Sequence, residues 1–326
     1  MFTQGDILLP TDFSRYAQYA LRYAIALARK YAGRIHLVHV IDASLVAAGT
    51  ARGSGLSMAE LQTLLYAMRD QAENRLAHLV RIANDSGIEA EMHIAEGRPA
   101  DEIVQLAKSL NCDLTVISTY GRTGLDRMVC GSCCEKVVRR SPVPVLCIKH
   151  PEHDFVTDPE GEICLRRILF PTDFSDFAAR ALPYAESLCR EFNASLALVH
   201  VSEIPVVLPE FMPDATGAFS SSEETYARDM LEQCAASMPD IHVTTHVKIG
   251  LPYREIVEMA AQEAADLIVV PTHGHSGFAH LLFGGVAEKI VRLAQCPVLT
   301  IRPGGAPAEE SLRPAIQSED ALDAVR

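Results

Sequence analysis

The chain is written almost twice over, and this limits its fold more than any other feature. ILLPTDFS at residues 7–14 returns as ILFPTDFS at 168–175, and LVHV at 37–40 returns at 198–201, both displaced by 161 positions. A second group is displaced by 153: GRPADEIV (97–104) with GLPYREIV (250–257), YGRTGLDRMVCGS (120–132) with HGHSGFAHLLFGG (273–285), and VPVLCI (143–148) with CPVLTI (296–301). The change of displacement falls between LVHV and the Gly-x-Pro segment, so the two copies differ in length at one internal region. A period of about 150 residues is too long for a solenoid unit and suits a whole domain. The expected division is a first domain over 1–150, a linker over 151–165, a second domain over 166–303 and an acidic, disordered tail over 304–326.

Within each copy, short apolar runs alternate with helical patterns. ILLP has no polar alternation, as a strand buried on both faces requires, and it stops at Pro10. Ser14 then offers an N-cap, followed by Ala17, Ala20, Leu21, Ala24, Leu27, Ala28 and Tyr31 at three- and four-residue spacing. The second copy keeps that stripe, with Pro183 inside it, where a proline should kink the helix. IHLVHV, the alternating IEAEMHIAEG, Asp113–Ser118 and VPVLCIK read as further strands, with helices over about 59–84, 98–110 and 135–140. The order β-α-β-α-β-α-β-α-β predicts an α/β fold: two tandem doubly wound domains, each a five-stranded parallel sheet of order 3-2-1-4-5 flanked by helices.

With 48% apolar and 22% charged residues the chain can bury two cores, and it has no apolar run long enough to span a bilayer. MFTQGDILLP has no basic and long apolar stretch of the secretory kind, so the reading is cytoplasmic, with no membrane partner. The nine scattered cysteines then read as reduced thiols. A formal charge of −13, with Arg139-Arg140 and Arg166-Arg167 as the only paired arginines, argues against nucleic acid. An anionic ligand must therefore be held by local geometry.

Two loops carry that geometry in both copies. Pro10-Thr11-Asp12 and Pro171-Thr172-Asp173 follow the first strand, and a glycine-containing loop follows the fourth, ending at Gly131-Ser132 or Gly284-Gly285 before a helix. In the predicted strand order these loops border the crevice at the switch point, where ligands bind to doubly wound sheets. Free backbone N–H groups and the positive end of a helix dipole favour a phosphate there. Neither a Walker loop nor the early Gly-x-Gly-x-x-Gly fingerprint is present. The other reading of these residues is structural: glycines that only turn the chain and an aspartate that only caps a helix.

These segments, in this order, resemble the universal stress protein family in its tandem two-domain form. The family's ATP-binding branch carries Gly-x2-Gly-x9-Gly-Ser/Thr after strand four. Here the first copy has Ser118-x2-Gly121-x9-Gly131-Ser132 and the second Pro271-x2-Gly274-x9-Gly284-Gly285. The resemblance implies an adenine nucleotide (ATP, ADP or AMP, with Mg²⁺ as an accompanying ion), its adenine near Asp12 and the backbone of Val40. Ribose and phosphates would lie along Ser118, Gly121, Gly131 and Ser132. In the second copy, Thr172, Asp173, Val201, Gly274, Gly284 and Gly285 would form a weaker site. It also implies pairing of the two domains through their fifth strands as an intramolecular pseudo-dimer. There the prolines Pro144 and Pro297 are expected to limit ladder pairing and favour side-chain packing. A homodimer of the whole chain and a regulatory protein partner are compatible with this arrangement.

Three function classes follow. The first is a non-enzymatic nucleotide-binding stress protein, in which Asp12 could support at most slow ATP hydrolysis. The second is an interaction scaffold or small-ligand binder without nucleotide. The third is a thiol sensor built on Cys130, Cys133 and Cys134. No catalytic residue and no metal site is expected, since His273, His275 and His280 have no carboxylate or cysteine at ligand spacing. His39 and His200, near the ends of second strands, read as partners of backbone groups.

Overall fold

The computed structural model describes residues 5–42, 57–119, 132–149, 154–157, 161–203, 213–272 and 285–302, with main chain alone at 58 and 213–221. The first copy runs β1 (Ile7–Pro10), α1 (Arg15–Tyr31), β2 (Ile35–Asp42), α2 (Met58–Asp85), β3 (Ala90–Gly97), α3 (Pro99–Ser109), β4 (Leu114–Ser118), α4 (Ser132–Arg140) and β5 (Val145–Ile148). The second runs β6 (Arg167–Pro171), α5 (Asp176–Phe192), β7 (Ser195–Ser202), α6 (Pro213–Ala236), β8 (Val243–Ile249), α7 (Pro252–Gln262), β9 (Leu267–Pro271), α8 (Val286–Leu293) and β10 (Val298–Ile301). Among the described residues, no helix is long and apolar enough to cross a membrane.

Local chemistry accounts for the helix ends. Ser14 Oγ accepts from the Ala17 N–H at 3.3 Å and starts α1; Arg29 and Lys30 occupy its last turn, and Ala32 ends it with φ 53°. Pro99 starts α3, with Asp101 and Glu102 in its first turn, where the helix dipole favours acids. Helix α5 continues through Pro183, which is exposed, so the Ala179 carbonyl freed by the missing N–H lies on the solvent side of the helix.

All the strands join one ten-stranded sheet in the order β3-β2-β1-β4-β5-β10-β9-β6-β7-β8. Pairing is parallel within each copy, and both faces are covered. Alternate residues of β1 feed opposite cores: Ile7 and Leu9 belong to the core that holds the buried faces of α1 and α5, and Leu8 to the core that holds Ala100, Ile103, Val137 and Ile290. Each of these cores contains residues from both copies.

The copies meet at β5 and β10, which form a hydrogen-bonded antiparallel ladder, Val298 opposite Cys147, Leu299 opposite Leu146 and Thr300 opposite Val145. This corrects the expectation that the prolines would limit ladder pairing and favour side-chain packing at this edge. Pro144 and Pro297 each precede their strand by one residue, so neither takes a donor from the ladder. Across the seam, Lys149 Nζ donates to the carbonyls of Arg292 and Ala294 at the end of α8, the latter at 3.1 Å, and Arg302 donates to the Arg140 carbonyl at the end of α4 at 2.9 Å. These equivalent contacts of residues 149 and 302 mark a pseudo-two-fold relation. Tyr31 donates to Glu191 at 2.9 Å, tying α1 to α5; burial and that carboxylate both hold its phenol well above the ordinary range.

The acidic connection between the copies is anchored. Phe155, Val156 and Leu165 are buried, Val156 bridges Ile163, and Tyr23 donates to Asp154 at 2.5 Å. Burial first, and Asp154 second, push the Tyr23 phenol far up, so this hydroxyl stays a donor.

Val145 and Val298 are each 1% exposed and lie in one core. The double change Val145→Asp with Val298→Asp should lower unfolding stability by at least about 3–5 kcal/mol, the usual consequence of an uncompensated buried charge. Urea denaturation measures this. Small-angle scattering of the unaltered chain should show one compact body; two independent lobes would contradict the continuous sheet.

Candidate functional site

The chain leaves β1 through a tightly tied hook. The Thr11 N–H donates to the Val38 carbonyl at 2.8 Å, continuing the ladder one residue past the strand. Thr11 Oγ1 then accepts from the Phe13 N–H at 3.0 Å, and Asp12 Oδ1 accepts from the Ser14 N–H at 2.9 Å. Threonine and aspartate fold the backbone back upon their own side chains in this way. Just after them Phe13 takes φ 64°, a left-handed conformation that costs a non-glycine residue about 1–2 kcal/mol. Contacts on its ring offset that strain: His39 at 4.5 Å and the Arg75 guanidinium at 4.3 Å, with Arg75 also donating to the Phe13 carbonyl at 3.1 Å.

The second copy rebuilds the hook. Thr172 N–H reaches Val199 at 2.9 Å, Thr172 Oγ1 accepts from Phe174 at 3.1 Å, and Asp173 Oδ1 accepts from the Ser175 N–H at 3.1 Å and its hydroxyl at 2.6 Å. Phe174 has φ 59° and stacks on His200 at 4.6 Å. Its ring also meets Tyr226 edge-on, with centroids 6.5 Å apart.

His39 and His200 fasten the hooks to their second strands. Nδ1 of His39 lies 2.8 Å from the Thr11 carbonyl and Nδ1 of His200 2.9 Å from the Thr172 carbonyl. A carbonyl only accepts, so each Nδ1 carries the proton and each Nε2 is the acceptor when the ring is neutral.

Pairing of β1 with β2 and β4 brings Pro10, Thr11, Asp12, Val40 and Ser118 to one end of the first half-sheet. Pro171, Thr172, Asp173 and Val201 form the matching set in the second half. Ser132 is exposed as the first residue of α4, whose strand-helix-strand topology sets its N-terminus at the same end as Ser118. Gly285 stands before α8 with no side-chain cap, and a Cβ there would meet nothing within 4 Å. Gly121, Gly131, Gly274 and Gly284 lie outside the described residues, as do Cys130, His273, His275 and His280. Arg75 is the rim residue the sequence reading missed; its only signal is its place on a long helix between the two repeated segments.

The hooks show that Asp12 and Asp173 do local structural work. Five of the described cysteines are buried: Cys134 is 2% exposed, with its sulfur 3.8 Å from that of Cys147, and burial pushes the Cys112, Cys189 and Cys296 thiols up to about 12. Thiolate would be scarce at those three positions.

Comparison with known proteins gives a consistent assignment. The profile described as the universal stress protein family matches residues 5–149 and 165–302. A universal stress protein of Mycolicibacterium smegmatis is 25% identical over 313 residues, 92% of this chain and 98% of that one. One from Methanocaldococcus jannaschii is 31% identical over 148 residues, 45% of this chain and 84% of that one. Among solved structures, a universal stress protein from Archaeoglobus fulgidus shares the fold, with a TM-score of 0.67 at 24% identity over 92% of this chain and 97% of that one.

The two hooks should differ in their dependence on the cap. Ser175 is 4% exposed and makes two side-chain hydrogen bonds, to Ala178 and Asp173, whereas Ser14 is half-buried with one cap bond. Ser14→Ala should cost about 1 kcal/mol and Ser175→Ala about 2 kcal/mol in chemical denaturation. A larger loss at Ser14 would contradict this account of the hooks.

Proposed function

The chain belongs to the universal stress protein family, with two of its domains in tandem, and from that premise we propose that it binds an adenine nucleotide (ATP, ADP or AMP), chiefly in the first repeat. The observation that carries this reading is the meeting of the Thr11–Asp12 hook with the end of β4 at the switch point, where the crevice of a doubly wound sheet lies. Asp12 and the Val40 backbone take the adenosine end. Ser118, Gly121, Gly131 and Ser132 take ribose and phosphates, with phosphate charge met by backbone N–H groups at the start of α4. Mg²⁺ would share the phosphate oxygens, as that ion does when it keeps most of its waters.

The first repeat is favoured by what its counterpart lacks. Ser132 supplies an N–H and a hydroxyl where Gly285 supplies only an N–H, and Pro271 has no N–H where Ser118 has one. Arg75 adds a cation at the hook in a chain whose formal charge is −13. Ser118 in place of the branch's first glycine is the feature that favours the alternative, a scaffold without nucleotide. The role we assign is a cytoplasmic stress-response regulator whose partner contacts depend on the bound nucleotide. We assign it binding rather than catalysis, with slow ATP hydrolysis at Asp12 as the most it would support. We place the domains at 1–150 and 166–303.

Calorimetric titration of the full-length chain with ATP tests this. Gly131→Val, which sets a branched side chain where phosphate must approach the backbone, should remove most of the binding, while Gly284→Val should leave it nearly unchanged. Ser132→Ala should weaken it by about 1.5–3 kcal/mol, the worth of a hydrogen bond to a charged group. Loss of binding through Gly284→Val with retention through Gly131→Val would overturn the assignment to the first repeat.

A further inference from the structure

At the opposite ends of the same strands, the first repeat gathers a second set of side chains. His36 is the second residue of β2, pairs with Glu91 on β3, and shares a sheet face with His93 two residues further along. His36 Nδ1 lies 3.1 Å from His93 Nε2 and 3.5 Å from Glu91 Oε2, and the last two atoms are 3.9 Å apart. The point equidistant from these three atoms is about 2 Å from each, the range of Zn–N and Zn–O bonds. We propose that His36, Glu91 and His93 form a binding site for one divalent transition-metal ion of the zinc class.

The surroundings fit such an ion. Two imidazoles and a carboxylate are a borderline donor set, suited to zinc and its neighbours rather than to magnesium or calcium. His36 is 3% exposed, and its Nε2 is buried with no hydrogen-bond partner. An ion on Nδ1 fixes the remaining proton on that Nε2, which lies 3.9 Å from Asp6 Oδ2. A carboxylate behind a metal-bound histidine is the usual outer partner, holding ring and tautomer in place. Asp6 is in turn held by the Arg34 backbone N–H at 3.0 Å and its guanidinium at 2.9 Å. Arg34 also lies 3.6 Å from Glu91 Oε1, the oxygen that does not face the histidines. Glu91 and His93 are partly exposed, which gives an entry path and leaves a fourth position for water.

The second repeat is an internal control. His246 stands where His93 does, but Ala197 and Thr244 replace His36 and Glu91 in the same register, and Arg167 replaces Asp6. Three of the four groups are lost together, while the hydrophobic segments around them persist. The donor set is therefore not required by the fold.

The test uses the full-length protein, stripped with a chelator and titrated with Zn²⁺ by calorimetry. One tight equivalent per chain is expected. His93→Ala and Glu91→Gln, changes at partly exposed positions that should fold normally by circular dichroism, should each weaken it at least about 10- to 100-fold. His246→Ala should leave it intact. Absence of a tight equivalent, or one unaltered by both His93→Ala and Glu91→Gln, would overturn the proposal. So would loss of that equivalent on changing His273, His275 and His280 alone.

Discussion

The seam between β5 and β10 is the contact on which the rest of the molecule depends. A five-stranded parallel half-sheet ends at β5 or β10 with a row of unpaired backbone groups and a strand that is buried on both faces. Left open, such an edge invites association with other chains. The antiparallel pairing of Val145–Cys147 with Val298–Thr300 closes both edges at once and lets each core run from one copy into the other. Because this one pairing is antiparallel and those on either side are parallel, the strands of the two copies point in opposite directions. The two hooks therefore lie at opposite ends of the sheet, and each crevice is built by its own copy.

Duplication also separates what the fold needs from what a site needs. Both copies keep the Thr-Asp-Phe-Ser hook, the strained phenylalanine and the histidine that ties it to the second strand, with distances that agree within a few tenths of an ångström. Those residues hold the start of α1 and α5 on the sheet and would be kept with or without a ligand. The differences are more telling: Ser132 against Gly285, Ser118 against Pro271, and His36 with Glu91 against Ala197 with Thr244. In each pair, one copy carries a polar group where the other carries none that matches it, although the scaffold beneath is shared.

Much of this was legible from sequence. The repeated segments and the alternation of apolar runs with helical stripes pointed to two α/β units, because buried parallel strands and amphipathic helices have distinct periods. The Ser14 cap and the place of the loop after each first strand were legible because such chemistry is local, between residues two or three apart. Long-range juxtapositions were not. His36 and His93 are 57 positions apart and meet only through the register of β2 on β3. Arg75 reaches Phe13 across 62 positions, and the anchoring of Phe155 beneath Tyr23 was hidden in a stretch whose acids suggested a plain linker. The seam was misread in its detail because proline was weighed by its presence near the strand, whereas its effect depends on whether its nitrogen falls within the ladder.

The central claim is that one of two near-identical scaffolds has kept an adenine-nucleotide site. Equilibrium dialysis of the intact chain against labelled ATP measures this directly, through the number of sites filled at saturation. One nucleotide per chain is expected, with any second site far weaker. Two equivalent sites, or none, would contradict it.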